Sequence, residues 1–241
     1  MSNATCSATR WTASPEDCLE LQRQHVELAR LSRISQFLIY DDENFPAYLL
    51  SVLTDPTHLF TRPSDASGVR GFCHLRKVDE VLFVNNIFIA SADRQLGAGT
   101  KLLHETLLMG DTLCPTIELD VLESNMTARS WYQRLGFEEL HRARWSSLGT
   151  PGIATSHPDI RVRPDRKGFS QIYSGDTRIG TRVGRMAILA TPDFADFLGA
   201  QDFDEIVVRT QADKERGHEP AIEISIRLRA DVSRVLEKLA K

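Results

Sequence analysis

No run of apolar residues in this chain approaches the ~20 that a membrane-spanning helix needs, so neither a transmembrane segment nor a membrane partner is expected. Residues 1–14 are polar and lack the basic-then-apolar layout of a secretory leader, which makes a cytoplasmic address the expectation. An excess of basic charge is missing too. The 29 Lys and Arg stand against 33 Asp and Glu, a net charge of −4, so bulk electrostatics gives nucleic acid no hold. Cysteine is sparse: Cys6, Cys18, Cys73 and Cys114 show no C-x-x-C spacing, and three of them fall in apolar patterns. Reduced core thiols are expected from that, with no metal site and no structural disulfide.

What the chain does contain begins with Arg94-Gln95-Leu96-Gly97-Ala98-Gly99-Thr100, set between an apolar run over 81–90 and a helical pattern over 101–109. The first N–H groups of a helix have no internal partners and carry the positive end of its dipole, so an anion fits there. Glycines before such a helix let the backbone turn tightly and approach a phosphate closely. The spacing is neither that of a P-loop nor that of a dinucleotide fingerprint. A second element follows the apolar run over 117–122. Asn125 reads as a helix N-cap, Ala128, Trp131, Tyr132 and Leu135 recur at helical spacing, and Gly136 ends the helix before Phe137 opens a strand.

With 241 residues the chain has room for one large domain or two small ones. Ser14-Pro15-Glu16-Asp17 opens a helix, with Ser14 as N-cap and Pro15 at the first helical position. An amphipathic pattern then runs through Leu19, Leu21, Val26, Leu28, Leu31, Ile34 and Leu38, and a short helix is expected over 47–53. Strands are expected over 8–12, 58–62, 69–78, 81–90, 117–122 and 138–146. Residues 148–158, rich in Gly, Pro, Ser and Thr, read as a linker. Beyond it come strands over 159–164, 169–173, 178–183, 186–190, 205–210 and 221–228, a short helix over 192–198 and a last helix over 231–240.

The combined pattern of Ile87-Phe88-Ile89, Arg94-x-x-Gly97-x-Gly99, Asn125, Ala128, Tyr132 and Gly136-Phe137 resembles the GCN5-related N-acetyltransferase (GNAT) family over about residues 8–146. The resemblance implies an α+β fold, a mixed and mostly antiparallel sheet flanked by helices, over 1–147; the strand and helix pattern of 159–241 itself reads as a second small α+β domain, which resembles no known family. It implies acetyl-coenzyme A as co-substrate and an amine as acceptor. Carried over by position, Ile87, Phe88 and Ile89 would bond the pantetheine arm. The backbone of Gln95, Leu96, Gly97, Ala98, Gly99 and Thr100 would hold the pyrophosphate, with Arg94 lending charge. Asn125 would bond to the arm or to a nearby water. Tyr132 would give its phenolic proton to the leaving thiolate, since a phenol of pKa near ~10 is protonated at neutral pH; packing beside Trp131 is the alternative.

The acceptor ammonium must also lose a proton, and family members often place a carboxylate where this chain has Asn85 and Asn86. Neither can act as a base. The candidates are water held by Asn85 or Asn86, His74 on the neighbouring strand, or Glu80 at the strand's start; Asn86, working through water, is preferred. The roles left open for 159–241 are dimerisation, covering the acceptor pocket and binding a partner protein. The second reading for the whole chain is a catalytically silent acyl-coenzyme A-binding module.

Overall fold

The computed structural model describes residues 8–64, 67–94, 97–110, 114–151, 159–198, 202–211 and 221–241. Helix α1 (Pro15–Ala29) starts as its spacing predicts: Ser14 Oγ accepts from the Asp17 N–H at 3.1 Å, and Glu16 and Asp17 lie at the positive end of the dipole. It stops sooner than the apolar pattern through Leu31, Ile34 and Leu38 predicts. After Arg30 the chain breaks into two 3-10 turns, Ser35–Phe37 and Ile39–Asp41. Ile34 and Phe37 are drawn off the axis of α1 into a separate core with Trp145 and Val207, while Leu31 is left exposed.

After α2 (Phe45–Leu53), the first half is completed by β1 (Ala8–Arg10), β2 (His58–Pro63), β3 (Gly71–Val78), β4 (Val81–Ile89) and β5 (Thr116–Leu122), adjacent in that order. The first three pairings are antiparallel, and β4 and β5 run parallel, joined across α3 (Ala98–Met109). Helix α4 (Met126–Arg134) ends at Gly136, whose φ of +91° suits glycine, and leads into β6 (Glu138–Gly149). The second half holds β7 (Ile160–Pro164), β8 (Ser170–Ser174), β9 (Thr177–Val183), β10 (Met186–Leu189), the 3-10 helix Pro192–Phe197, β11 (Glu205–Gln211), β12 (Ala221–Asp231) and α5 (Val232–Leu239).

All these strands form one sheet, in the order β1-β2-β3-β4-β5-β12-β6-β11-β10-β9-β8-β7. The second half repeats the topology of the first: β7 to β10 pair antiparallel in sequence, and β11 joins β10 in parallel, as β5 joins β4. The sixth strand of each half is exchanged. β6 pairs with β11 and β12, and β12 pairs with β5 and β6. Gly71 and Gly180 hold equivalent places, opposite the last residues of β4 and β10. A Cβ on either would stand 2.4 Å from a carbonyl oxygen, of Phe88 or of Ile188, so both strands need glycine at that point.

The exchange alters what the expected boundary separates. β12 and α5, expected with 159–241, pack Ile226, Leu228, Val232 and Val235 against Leu103, Ile117 and Leu119 in the core under α3. β6 also runs past Ser146 to Gly149, into the start of the expected linker, and 152–158 lie outside the described residues. A second core lies under α1 and α2, around Leu21, Phe45, Leu49 and Phe72. A third lies in the second half, around Ile172, Leu189 and Leu198. Among the described residues Cys18, Cys73 and Cys114 are buried free thiols, and no helix is long and apolar enough to cross a membrane; Cys6 lies outside them.

With the sheet continuous, Leu119→Ala in the first core and Ile172→Ala in the third should each cost about 2–5 kcal/mol and lower the same unfolding transition. Scanning calorimetry of the two variants checks this. Two separately shifting transitions would mean that the halves unfold independently.

Candidate active site

The site grows from a mismatch between β4 and β5. Their parallel pairing runs from Val81↔Thr116 to Val84↔Leu119 and stops there, although β4 continues to Ile89 and β5 to Leu122. Over the same stretch β5 stays paired to β12 on its other edge. One face of the β4 backbone at Ile87, Phe88 and Ile89 therefore looks into an opening, while the other face stays paired to Cys73, Phe72 and Gly71.

A β-bulge sets which side chains look where. Leu75 pairs with Val84 but His74 pairs with Asn86, leaving Asn85 as the extra residue on β4. Before the bulge Leu82 and Val84 face the core under α3, and after it Ile87 and Ile89 do. Asn86 and Phe88 are thereby turned toward α1 and α2.

At the C-terminal end of β4 the chain enters the glycine turn. Gly97 has φ +74° and caps α3 with no side-chain hydrogen bond, and a Cβ there would meet nothing within 4 Å. At Gly99 a Cβ would lie 3.7 Å from Ile89 Cγ1, an ordinary contact, so packing does not demand glycine. Arg94 is exposed and its Nε donates to the Ile89 carbonyl at 2.9 Å. Thr100 Oγ1 accepts from Trp131 Nε1 at 3.2 Å, tying the start of α3 to α4. Gln95 and Leu96 lie outside the described residues.

Asn125 caps α4 as its position predicts, its Oδ1 accepting from the Ala128 N–H at 3.1 Å. Tyr132 is buried among Ile89, Leu103 and Phe137, its ring 4.8 Å from Trp131 and 5.4 Å from Phe137. Burial pushes its phenol above the ordinary value, with Cys73 adding to the shift, so the proton is held at neutral pH.

On the opposite face of the sheet lies a polar cluster that the sequence pattern did not single out as a group. Asn86 Nδ2 donates to Tyr40 Oη at 3.0 Å, and its amide also bonds the rings of His25 and His74. His25 Nδ1 donates to the Leu21 carbonyl at 2.7 Å, which leaves Nε2 as the nitrogen free for Asn86. The amide nitrogen of Asn85 lies 3.3 and 3.2 Å from the two ring nitrogens of His74. His74 stacks on Phe60 at 3.7 Å, and its Nε2 lies 2.8 Å from Nδ1 of His58. Glu80 sits in the β3–β4 turn, at the far end of β4 from this cluster.

Two carboxylates on this face come from β5, Glu118 and Asp120. Glu118 bonds Arg227 at 3.1 Å and Arg229 at 2.7 Å, and Asp120 bonds Arg227 at 2.6 Å and Arg209 at 3.2 Å. Burial opposes ionisation of Glu118, and the two arginines outweigh it, holding the carboxyl below its usual range. Nothing local signals this cluster, because β12 comes from the far end of the chain.

The parallel pair thus parts beside a glycine turn whose helix start has no side-chain cap. Residues 56–139 match the Acetyltransferase (GNAT) domain family. The GCN5-related N-acetyltransferase from Sphaerobacter thermophilus is similar in fold, with a TM-score of 0.58 at 10% identity over 93% of this chain and 96% of that one. A tandem GNAT protein from the clavulanic acid biosynthesis pathway is similar with a TM-score of 0.61 at 9% identity, over 94% of this chain and 98% of that one. No curated protein matches the sequence.

The buried histidines make stability depend on pH. Burial lowers His25 from 6.5 to about 4, so between those values the unfolded chain takes up a proton that the folded chain refuses. Stability should fall as pH drops from about 6.5 toward 4, His25 alone contributing about 3 kcal/mol to the fall and nothing further below that range. Urea unfolding across this range, with His25→Gln giving a shallower slope, checks it. An unchanged slope in the variant would remove His25 from the account.

Proposed function

We propose that this protein transfers an acetyl group from acetyl-coenzyme A to a primary amine by direct attack on the thioester. The observation that carries the reading is the parting of β4 and β5 after Val84 and Leu119, beside an α3 start whose N–H groups have no side-chain cap. Acyl transfer by this domain family uses acetyl-coenzyme A, and the residues suit it. Ile87, Phe88 and Ile89 would bond the pantetheine arm through the unpaired edge of β4. The turn from Gln95 to Thr100 would take the pyrophosphate, with Arg94 adding charge. Asn125 Nδ2 stays available beyond its cap.

The neutral amine nitrogen attacks the thioester carbonyl, a C–N bond forms, the C–S bond breaks, the sulfur takes the Tyr132 proton, and the proton that the nitrogen sheds on becoming an amide returns through water to the Tyr132 oxygen. Tyr132 suits this role because it is buried, protonated and on the α3 side of the sheet, where Ile87 and Ile89 also face. The acceptor comes from the α1 side, where Asn86 and Tyr40 present an amide and a phenol to it or to a bridging water. A 340 Å³ cavity runs from Leu38 and Tyr40 to Phe169 and Val183 of the second half, which gives that half a part in acceptor choice.

Thiol release against a panel of amines tests the reading. Turnover is expected with at least one amine class. Tyr132→Phe should lower kcat roughly 10²-fold with little change in KM for acetyl-coenzyme A, and Gly97→Val should raise that KM. Tight acetyl-coenzyme A binding without turnover of any amine would favour a silent acyl-coenzyme A-binding module.

A further inference from the structure

On the acetyl-transfer reading, the acceptor ammonium would lose its proton on the α1 side of β4, a face walled by Phe60, Phe72 and Phe88, all buried. Two histidines cross that wall. His74 is buried, with one edge at the bulge against Asn85 and Asn86, and its Nε2 is 2.8 Å from Nδ1 of His58, which is half-exposed. An apolar pair could fill this space without removing ring nitrogens from water, so their retention asks for a use.

We propose that His74 and His58 form the exit path for the proton released by the acceptor amine. This rests on the acetyl-transfer reading above. A water at Asn86 passes the proton to Nδ1 of His74, the proton on His74 Nε2 moves to Nδ1 of His58, and the proton on His58 Nε2 leaves to solvent. One proton enters and one departs, with no other bond changed.

The surroundings favour passage over storage. His74 is held neutral by burial and by His58, His25 and Arg76 around it, with the Asn86 bond opposing. His58 is lowered by burial, Arg76 and Lys167 against the pull of Asp55. A proton arriving at either ring is pushed onward.

His58→Phe tests this, because it keeps a ring against His74 and removes both nitrogens; His58→Gln, smaller and polar, is the second variant should the first fail to fold. Thiol release is followed from pH 6 to 9 with the best amine substrate, with and without added imidazole. The expected result is a kcat lowered roughly ten- to a hundredfold, an unchanged KM for acetyl-coenzyme A, and recovery with imidazole. A variant with wild-type kcat across the range, or one whose loss imidazole does not restore, overturns the exit path while leaving acetyl transfer standing. Absence of turnover in the wild type would instead remove the acetyl-transfer reading and the exit path together.

Discussion

The structure depends on how β5 is shared. Its hydrogen-bonding groups are claimed along the whole strand by β12 on one edge, and on the other edge by β4 only as far as Leu119. Because β12 is itself locked between β5 and β6, β5 cannot swing back to follow β4. The opening follows from that fixed position of β5, which the core that β12 and α5 share with α3 supports. An extended ligand with alternating donors and acceptors is the natural occupant of an unpaired strand edge.

Much of the first half was legible in the sequence because its signals are local. Ser14 and Asn125 cap their helices, Gly136 ends α4 with positive φ, and the apolar run over 81–90 gives β4. The end of α1 was not legible: Leu31, Ile34 and Leu38 keep a helical period, yet the burial of Ile34 and Phe37 against Trp145 decides the path. The exchange of β6 and β12 could not be read either, since strands of similar apolar pattern carry no label for a distant partner. The same holds for the site. Asn86 and Tyr132 follow from position along the chain, while the grouping of His25, Tyr40, His58 and His74 needs α1, the 3-10 turns, β2 and β3 brought together.

The repeated topology has one structural asymmetry that the proposed reading uses. Both halves have the antiparallel set followed by a parallel strand. The first half crosses over through the full helix α3 opened by Gly97, and the second through the short 3-10 helix Pro192–Phe197. Among the described residues the second crossover opens on Pro192, which has no N–H to offer, and runs for only six residues. On the proposed reading, the second half contributes walls to the acceptor cavity through Phe169 and Val183 and leaves acyl-carrier binding to the first.

Amide hydrogen exchange with and without acetyl-coenzyme A tests that division most directly. The account predicts new protection at Ile87 to Ile89 and at Gly97 to Thr100, with β10 and β11 unchanged. Protection confined to the second half, or none along the β4 edge, would contradict it.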